Sequence, residues 1–190
     1  MEFIRKHIEA ISLISDSDWG YFSSKLVKRD FKKRTIILGF KEIENHISFI
    51  AEGVVRLYFP KELKEKEVTF GFSFKNQFVS AYDSFLTRRP SLYELETLSA
   101  TTLYSISFSD LQDVYNKTRF GNLIGRLVAE RLLLLKSRRE QSLLNETAEQ
   151  RYFNLFKERP ELLAVIPLKY VSSYIGVTPQ ALSRIRKRIN

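Results

Sequence analysis

The pattern of apolar and polar positions changes texture along the chain. Over residues 1–25 apolar side chains recur at Phe3, Ile4, Ile8 and Ile11 with charged residues between them. That spacing predicts an amphipathic helix. Ser15 to Asp18 offers the cap of a second short helix carrying Trp19, Phe22 and Leu26. From Leu26 to Phe108 the pattern shifts to short runs rich in Ile, Val, Phe, Tyr and Thr, separated by charged turns. Strands are predicted over 26–31, 34–39, 46–51, 54–59, 67–74, 77–81, 92–98 and 101–108. Glu52-Gly53 reads as a tight hairpin turn, and Lys61 to Lys66 as a solvated hairpin tip.

Helical spacing returns after Phe108. Ser109-Asp110 is expected to cap a short helix with Leu111 and Val114 inward. A longer helix over about 120–143 carries two apolar seams, one near Leu123, Leu127 and Leu134, the other near Ile124, Val128 and Leu135. Two seams predict two packing partners, one of them a second copy of the helix. Burial inside a monomer is the alternative, and the cations Arg126, Arg131, Lys136, Arg138 and Arg139 oppose it. Thr147-Ala148-Glu149-Gln150 is a capping box opening a further helix that packs through Tyr152, Phe153, Leu155 and Phe156. Glu158-Arg159-Pro160 ends it, and Leu162, Leu163, Val165 and Ile166 lead into Pro167.

The last stretch, 167–189, is the most informative. Val171 and Ile175 share one face of a helix, and Leu182 and Ile185 share a face of another. Gly176 stands where the chain must turn, Thr178 is a good N-cap, and Pro179 suits a first helical position. Small Ser172 lets the two helices cross closely. This predicts a helix-turn-helix, whose second helix enters a DNA major groove. A plain helical hairpin explains the apolar positions and leaves the polar ones unexplained. Gln180, Ser183, Arg184 and Lys187 face away from the Leu182/Ile185 seam. Gln and Arg are the side chains that pair with adenine and guanine edges.

Charge sharpens this picture. The formal net charge is +9 in 190 residues. Residues 1–117 hold 17 Lys/Arg and 16 Asp/Glu, a net of +1, whereas residues 118–190 hold 14 and 6, a net of +8. The excess sits with the helix pair, as a footprint for phosphate requires. Anionic lipid would also attract it, but lipid needs no Gly turn and cap. The chain has no cysteine, which excludes disulfides and thiolate metal sites. Its only histidines, His7 and His46, are too few for a catalytic metal of the usual kind, and His46 is expected at the surface of a strand start. No nucleophilic triad is visible, so no enzyme chemistry is expected. Met1 to Leu13 is broken by Glu2, Arg5, Lys6 and Glu9 and lacks the apolar centre of a signal peptide. No uncharged run reaches the ~18 residues a membrane helix needs. A cytoplasmic protein without membrane contact is expected.

Ser172, Gly176, Val177, Thr178, Leu182, Ser183, Arg184 and Ile185 together resemble the helix-turn-helix of the Crp/Fnr family of bacterial transcription regulators. The strand region is similar to that family's cyclic-nucleotide-binding domain, with H-I-S-F-I-A-E-G-V-V-R-L-Y matching a recurrent hairpin. The resemblance implies an α+β fold: an N-terminal jelly-roll β-barrel over 1–117, a dimerisation helix over 118–143, and a helix-turn-helix domain over 144–190. It implies a homodimer through Leu123, Leu127 and Leu134, double-stranded DNA and RNA polymerase as partners, and a small-molecule effector. Gln180, Ser183 and Arg184 would read bases. Lys169, Thr178, Arg186, Lys187 and Arg188 would grip phosphates.

The family's phosphate cassette runs Gly-Glu and then Arg-Ser/Thr. Here the Gly-Glu pair is missing, and Pro90 removes a backbone donor. Tyr82, Asp83, Arg88, Arg89 and Ser91 stand near the expected place. A degenerate pocket with no cofactor is the expectation, cyclic nucleotide being the ligand the family would suggest. Two rival classes stay open, a cupin-like binding protein or enzyme with a helical tail, and a protein-interaction module that has lost DNA binding.

Overall fold

A computed structural model describes residues 1–63, 66–158 and 165–189. Lys64 and Glu65 of the expected hairpin tip lie outside the described residues, as do Arg159, Pro160, Leu162 and Leu163. The chain divides into two compact units, Met1–Leu57 with Phe72–Arg131, and Tyr58–Gly71 with Leu132–Asn190.

The first unit opens with α1 (Glu2–Glu9) and α2 (Asp16–Ser24). Ser15 caps α2 by accepting the Asp18 N–H at 3.2 Å. The strands are β1 (Val27–Phe31), β2 (Ile36–Leu38), β3 (His46–Glu52), β4 (Val54–Phe59), β5 (Val68–Phe74), β6 (Phe78–Val79), β7 (Glu94–Thr97) and β8 (Thr101–Ser107), with α3 (Tyr82–Thr87) between β6 and β7. They form two four-stranded sheets, ordered β1-β8-β3-β6 and β2-β7-β4-β5. In the first sheet β8 pairs antiparallel with β1 and β3, and β6 with β3. The two sheets are separate among the described residues; a closed barrel is not formed by these pairings.

The expected β3–β4 hairpin is corrected. β3 belongs to one sheet and β4 to the other. Two features redirect the chain. The register of β3 on β8 shifts between Ile50 and Glu52, and Gly53 takes φ +101°. A side chain at Gly53 would meet Thr101 Oγ1 at 2.3 Å, so only glycine fits this crossing.

The core of this unit gathers Ile4 and Ile8 of α1, Phe22, Phe49, Phe85 and Ile106 with Leu111, Val114 and Phe120. Each large apolar side chain removed from water contributes ~1.5–3 kcal/mol, which is why α1 stays on the sheet. The helix α4 (Phe108–Lys117) buries Leu111 and Val114 as its spacing requires. Its cap is Ser107, which accepts the Asp110 N–H at 3.1 Å, two residues before the expected Ser109. Ser109 already lies inside the helix, whereas Ser107 has extended backbone at the N-cap and aims its oxygen back. The long helix α5 (Gly121–Asn145) follows, then α6 (Ala148–Glu158), α7 (Leu168–Ile175) and α8 (Pro179–Ile189). The capping box before α6 is reciprocal: Thr147 N–H to Gln150 Oε1 at 2.8 Å, and Gln150 N–H to Thr147 Oγ1 at 3.2 Å.

Candidate nucleic-acid interface and effector region

In the second unit α7 and α8 pack through the residues their spacing selects. Val171 and Ile175 are fully buried on α7, and Leu182 and Ile185 nearly so on α8. Ser172 is buried at the crossing, its hydroxyl turned back to donate to Lys169 O at 2.9 Å. Gly176 ends α7 with φ +81°. The nearest atom to a side chain built there is 3.8 Å away, so the backbone angle alone selects glycine. Thr178 caps α8 by accepting the Ala181 N–H at 3.2 Å.

The same geometry turns Gln180, Ser183, Arg184 and Lys187 to solvent, opposite the seam. Of the residues expected on phosphates, Lys169, Thr178 and Arg188 are exposed and Arg186 is half-buried. Lys169 holds its ammonium 4.7 Å from the Tyr170 ring centre. Arg188 stands 3.9 Å from Glu149, an exposed pair worth ~0–1 kcal/mol and easily exchanged for another anion.

Three supporting residues escape sequence reasoning. Arg139 of α5 donates to Tyr174 O, with its guanidinium 3.8 Å from the Tyr174 ring centre. Burial lowers its pKa from the ordinary 12.5, and nearby Arg151 adds to this. Arg151 of α6 donates to Ile175 O at 2.9 Å and also to Glu146 O. Two cations therefore satisfy the open carbonyls at the end of α7, where the helix dipole favours positive charge. Ser173 works differently. Its hydroxyl accepts the Thr69 N–H at 2.9 Å and donates to Glu67 O at 2.9 Å, clipping α7 to the start of β5. Two arginines and a serine read as surface in the sequence, yet all three are half-buried, and only the long-range partners reveal their work.

The long helix α5 is apolar on several sides. Of its residues only Gly121 is buried, while Leu133, Leu134 and Leu135 are 68%, 61% and 54% exposed and Leu144 is 77% exposed. Leu123 is exposed and Leu127 half-buried.

The residues expected around an effector are held by their own neighbours. Arg88 has left-handed backbone, φ +58°, as the C-cap of α3. Its guanidinium donates to Glu44 O at 2.7 Å, Phe85 O at 3.2 Å and Asn45 Oδ1, and lies 4.5 Å from the Phe108 ring centre. Ser91 is fully buried and donates to Tyr93 O at 2.8 Å. Asp83 is exposed and accepts the Tyr93 hydroxyl, whose pKa burial and then this carboxylate raise above the usual range. Burial likewise raises the pKa of half-buried Tyr82. Glu44 is buried, and its carboxylate accepts the His46 and Ala81 N–H groups at 2.9 and 3.4 Å; burial raises its pKa. Only Asp83 and Arg89 of the five expected residues line an open cleft of about 550 Å³, with Lys41, Ser84, Thr87, Pro90 and Leu92. Among the described residues no cluster of His, Cys, Asp and Glu is suited to a metal. His46, expected at the surface, is half-buried.

No family model matches the chain, and no curated protein matches it. Solved structures do. The c-di-GMP-responsive global regulator CLP of Xanthomonas campestris superposes with a TM-score of 0.69 at 15% identity, covering 92% of this chain and 91% of that one. FixK2 of Bradyrhizobium japonicum gives 0.68 at 18% identity over 86% and 84%. A putative Crp/Fnr-family regulator of Eubacterium rectale gives 0.66 at 16% identity over 92% and 83%. The fold is that of the Crp/Fnr regulators. Within this fold α7 and α8 form the last helix pair of the described residues. No helix of the described residues is long and apolar enough to cross a membrane.

Proposed function

We propose that the chain is a sequence-specific DNA-binding transcription regulator of the Crp/Fnr type that works as a homodimer. The carrying observation is the exposed row Gln180, Ser183 and Arg184 on α8, opposite the buried Leu182/Ile185 seam. In this reading α7 and α8 are a helix-turn-helix within 144–190, and α8 lies in the major groove with Arg184 on guanine. Lys169, Thr178, Arg186, Lys187 and Arg188 hold phosphates, and a dimer sets two copies of α8 one helical turn of DNA apart. The exposed leucines of α5 support the dimer, since a helix apolar on several sides needs a partner. The solved regulators of like fold, named as such, agree with this reading. It places the protein in the cytoplasm, beside RNA polymerase.

The effector pocket over 1–117 takes no cyclic nucleotide in this reading. Arg88 already spends its donors on Glu44, Asn45 and Phe85. The direct test is selection from a random duplex pool with purified protein, followed by anisotropy titration of the winner and a scrambled control. A regulator prefers the winner by at least ~10³-fold. Equal binding to both duplexes would reject sequence-specific reading.

A further inference from the structure

We propose that the turn joining β1 to β2 is a second phosphate-binding surface for duplex DNA, a proposal that rests on the DNA-binding reading above. The turn carries three successive cations, Lys32, Lys33 and Arg34, all exposed. None has an acidic partner within ion-pair distance among the described residues. They stand in a part of the chain that is otherwise nearly neutral.

The turn is stiff. Buried Thr97 of β7 donates its hydroxyl to Lys32 O at 2.7 Å and accepts the Thr35 N–H at 2.8 Å. Its backbone accepts the Arg34 N–H at 2.8 Å and donates to Thr35 O at 2.9 Å. Thr35 Oγ1 adds a bond to Lys32 O at 2.8 Å. Arg34 is held at φ +64°, a conformation that glycine or asparagine adopts without strain and arginine does not. Edge protection does not account for these charges. β1 is an edge strand, and lysines on an edge block stray pairing, but β1 ends at Phe31. Three like charges on a fixed, strained turn repel one another until a polyanion arrives. Duplex DNA presents one charge per ~1.7 Å of axis, which suits a rigid cluster of this kind.

The test compares the full-length protein with Lys32→Gln/Lys33→Gln/Arg34→Gln and with Arg34→Gly. Arg34→Gly removes one cation and relieves the backbone, so it folds at least as well as the wild type. Affinity for a 60-bp random-sequence duplex is measured from 50 to 200 mM salt. The slope of log affinity against log salt falls by about 2–3 in the triple variant and by about 1 in Arg34→Gly. Between those salt concentrations the wild type then loses about 40-fold more affinity than the triple variant. Unchanged slopes with a wild type that binds DNA would overturn this surface and leave α8 untouched. A wild type that binds no duplex at all would overturn the DNA-binding reading itself. Unchanged slopes together with sedimentation on phosphatidylglycerol vesicles, lost in the triple variant, would reassign the turn to a membrane.

Discussion

Arg184 and Lys187 stand nearly one turn apart on the exposed side of α8, and they are expected to behave differently. In the proposed reading Arg184 reaches the centre of a groove, where two parallel N–H bonds to one guanine would specify a base. Arg184→Ala should cost ~1–3 kcal/mol per half-site on the selected operator and little on scrambled DNA. Lys187→Ala should weaken both duplexes alike and lower the salt slope by about one. Titration of both variants on both duplexes separates the two, and equal losses for Arg184→Ala would make it a phosphate contact. Gly176 gives a prediction about stability alone. Its φ of +81° is open to glycine, and nothing stands within 3.4 Å of an added side chain. Gly176→Ala should therefore cost ~1–2 kcal/mol through the backbone, read as a lower urea midpoint with an unchanged slope.

Elements show where the sequence speaks and where it is silent. The eight strands were legible largely because each side of a strand tends to meet one environment, as in β8, where Thr101, Leu103 and Ser105 are buried and Thr102 and Tyr104 between them are half-buried. Sheet membership was not legible. A Gly turn between two apolar runs looks like a hairpin, and the crossing at Gly53 depends on Thr101, far away in sequence. The helix pair α7/α8 was fully legible because caps, turn glycine and seam are all local. The Arg139 and Arg151 contacts were not, since they join α5 and α6 to carbonyl oxygens of α7, which carry no sequence signal. Of the effector region, the position of Arg88 was readable and its engagement with Glu44 and Asn45 was not. The helix α5 carries an element-scale prediction. Leu134 is 61% exposed, so Leu134→Glu should fold normally but bury unpaired charge in any partnered state. Sedimentation should show a dimer for the wild type and a 22.3 kDa monomer for the variant. A wild-type monomer at micromolar concentration would remove the partner from α5.

At the scale of the whole molecule, protons are expected to act through the first unit. Burial first, and Arg131 second, lower the His7 pKa from 6.5; burial and then Arg29 lower that of His46. Below about pH 6.5 the unfolded chain takes up protons that the folded chain refuses, so stability falls as pH drops through that window. Glu44 acts oppositely and lower, because its raised pKa lets the folded state bind the proton first as pH falls. The melting midpoint should thus be lower at pH 5.5 than at pH 7.5, and His7→Gln should narrow the difference. An unchanged gap would show that His7 is not the group responsible. One contact has a consequence for how such a molecule can change over generations. Ser173 holds the start of β5 by main-chain atoms of Glu67 and Thr69, about a hundred positions away. This joint constrains the backbone at 67 and 69 and not the identity of their side chains, so long as proline does not take position 69 and remove the donor. Paired substitutions will not accumulate across this joint. Methods that infer proximity from correlated mutation will be blind to it, although it ties together two of the most distant stretches of the second unit.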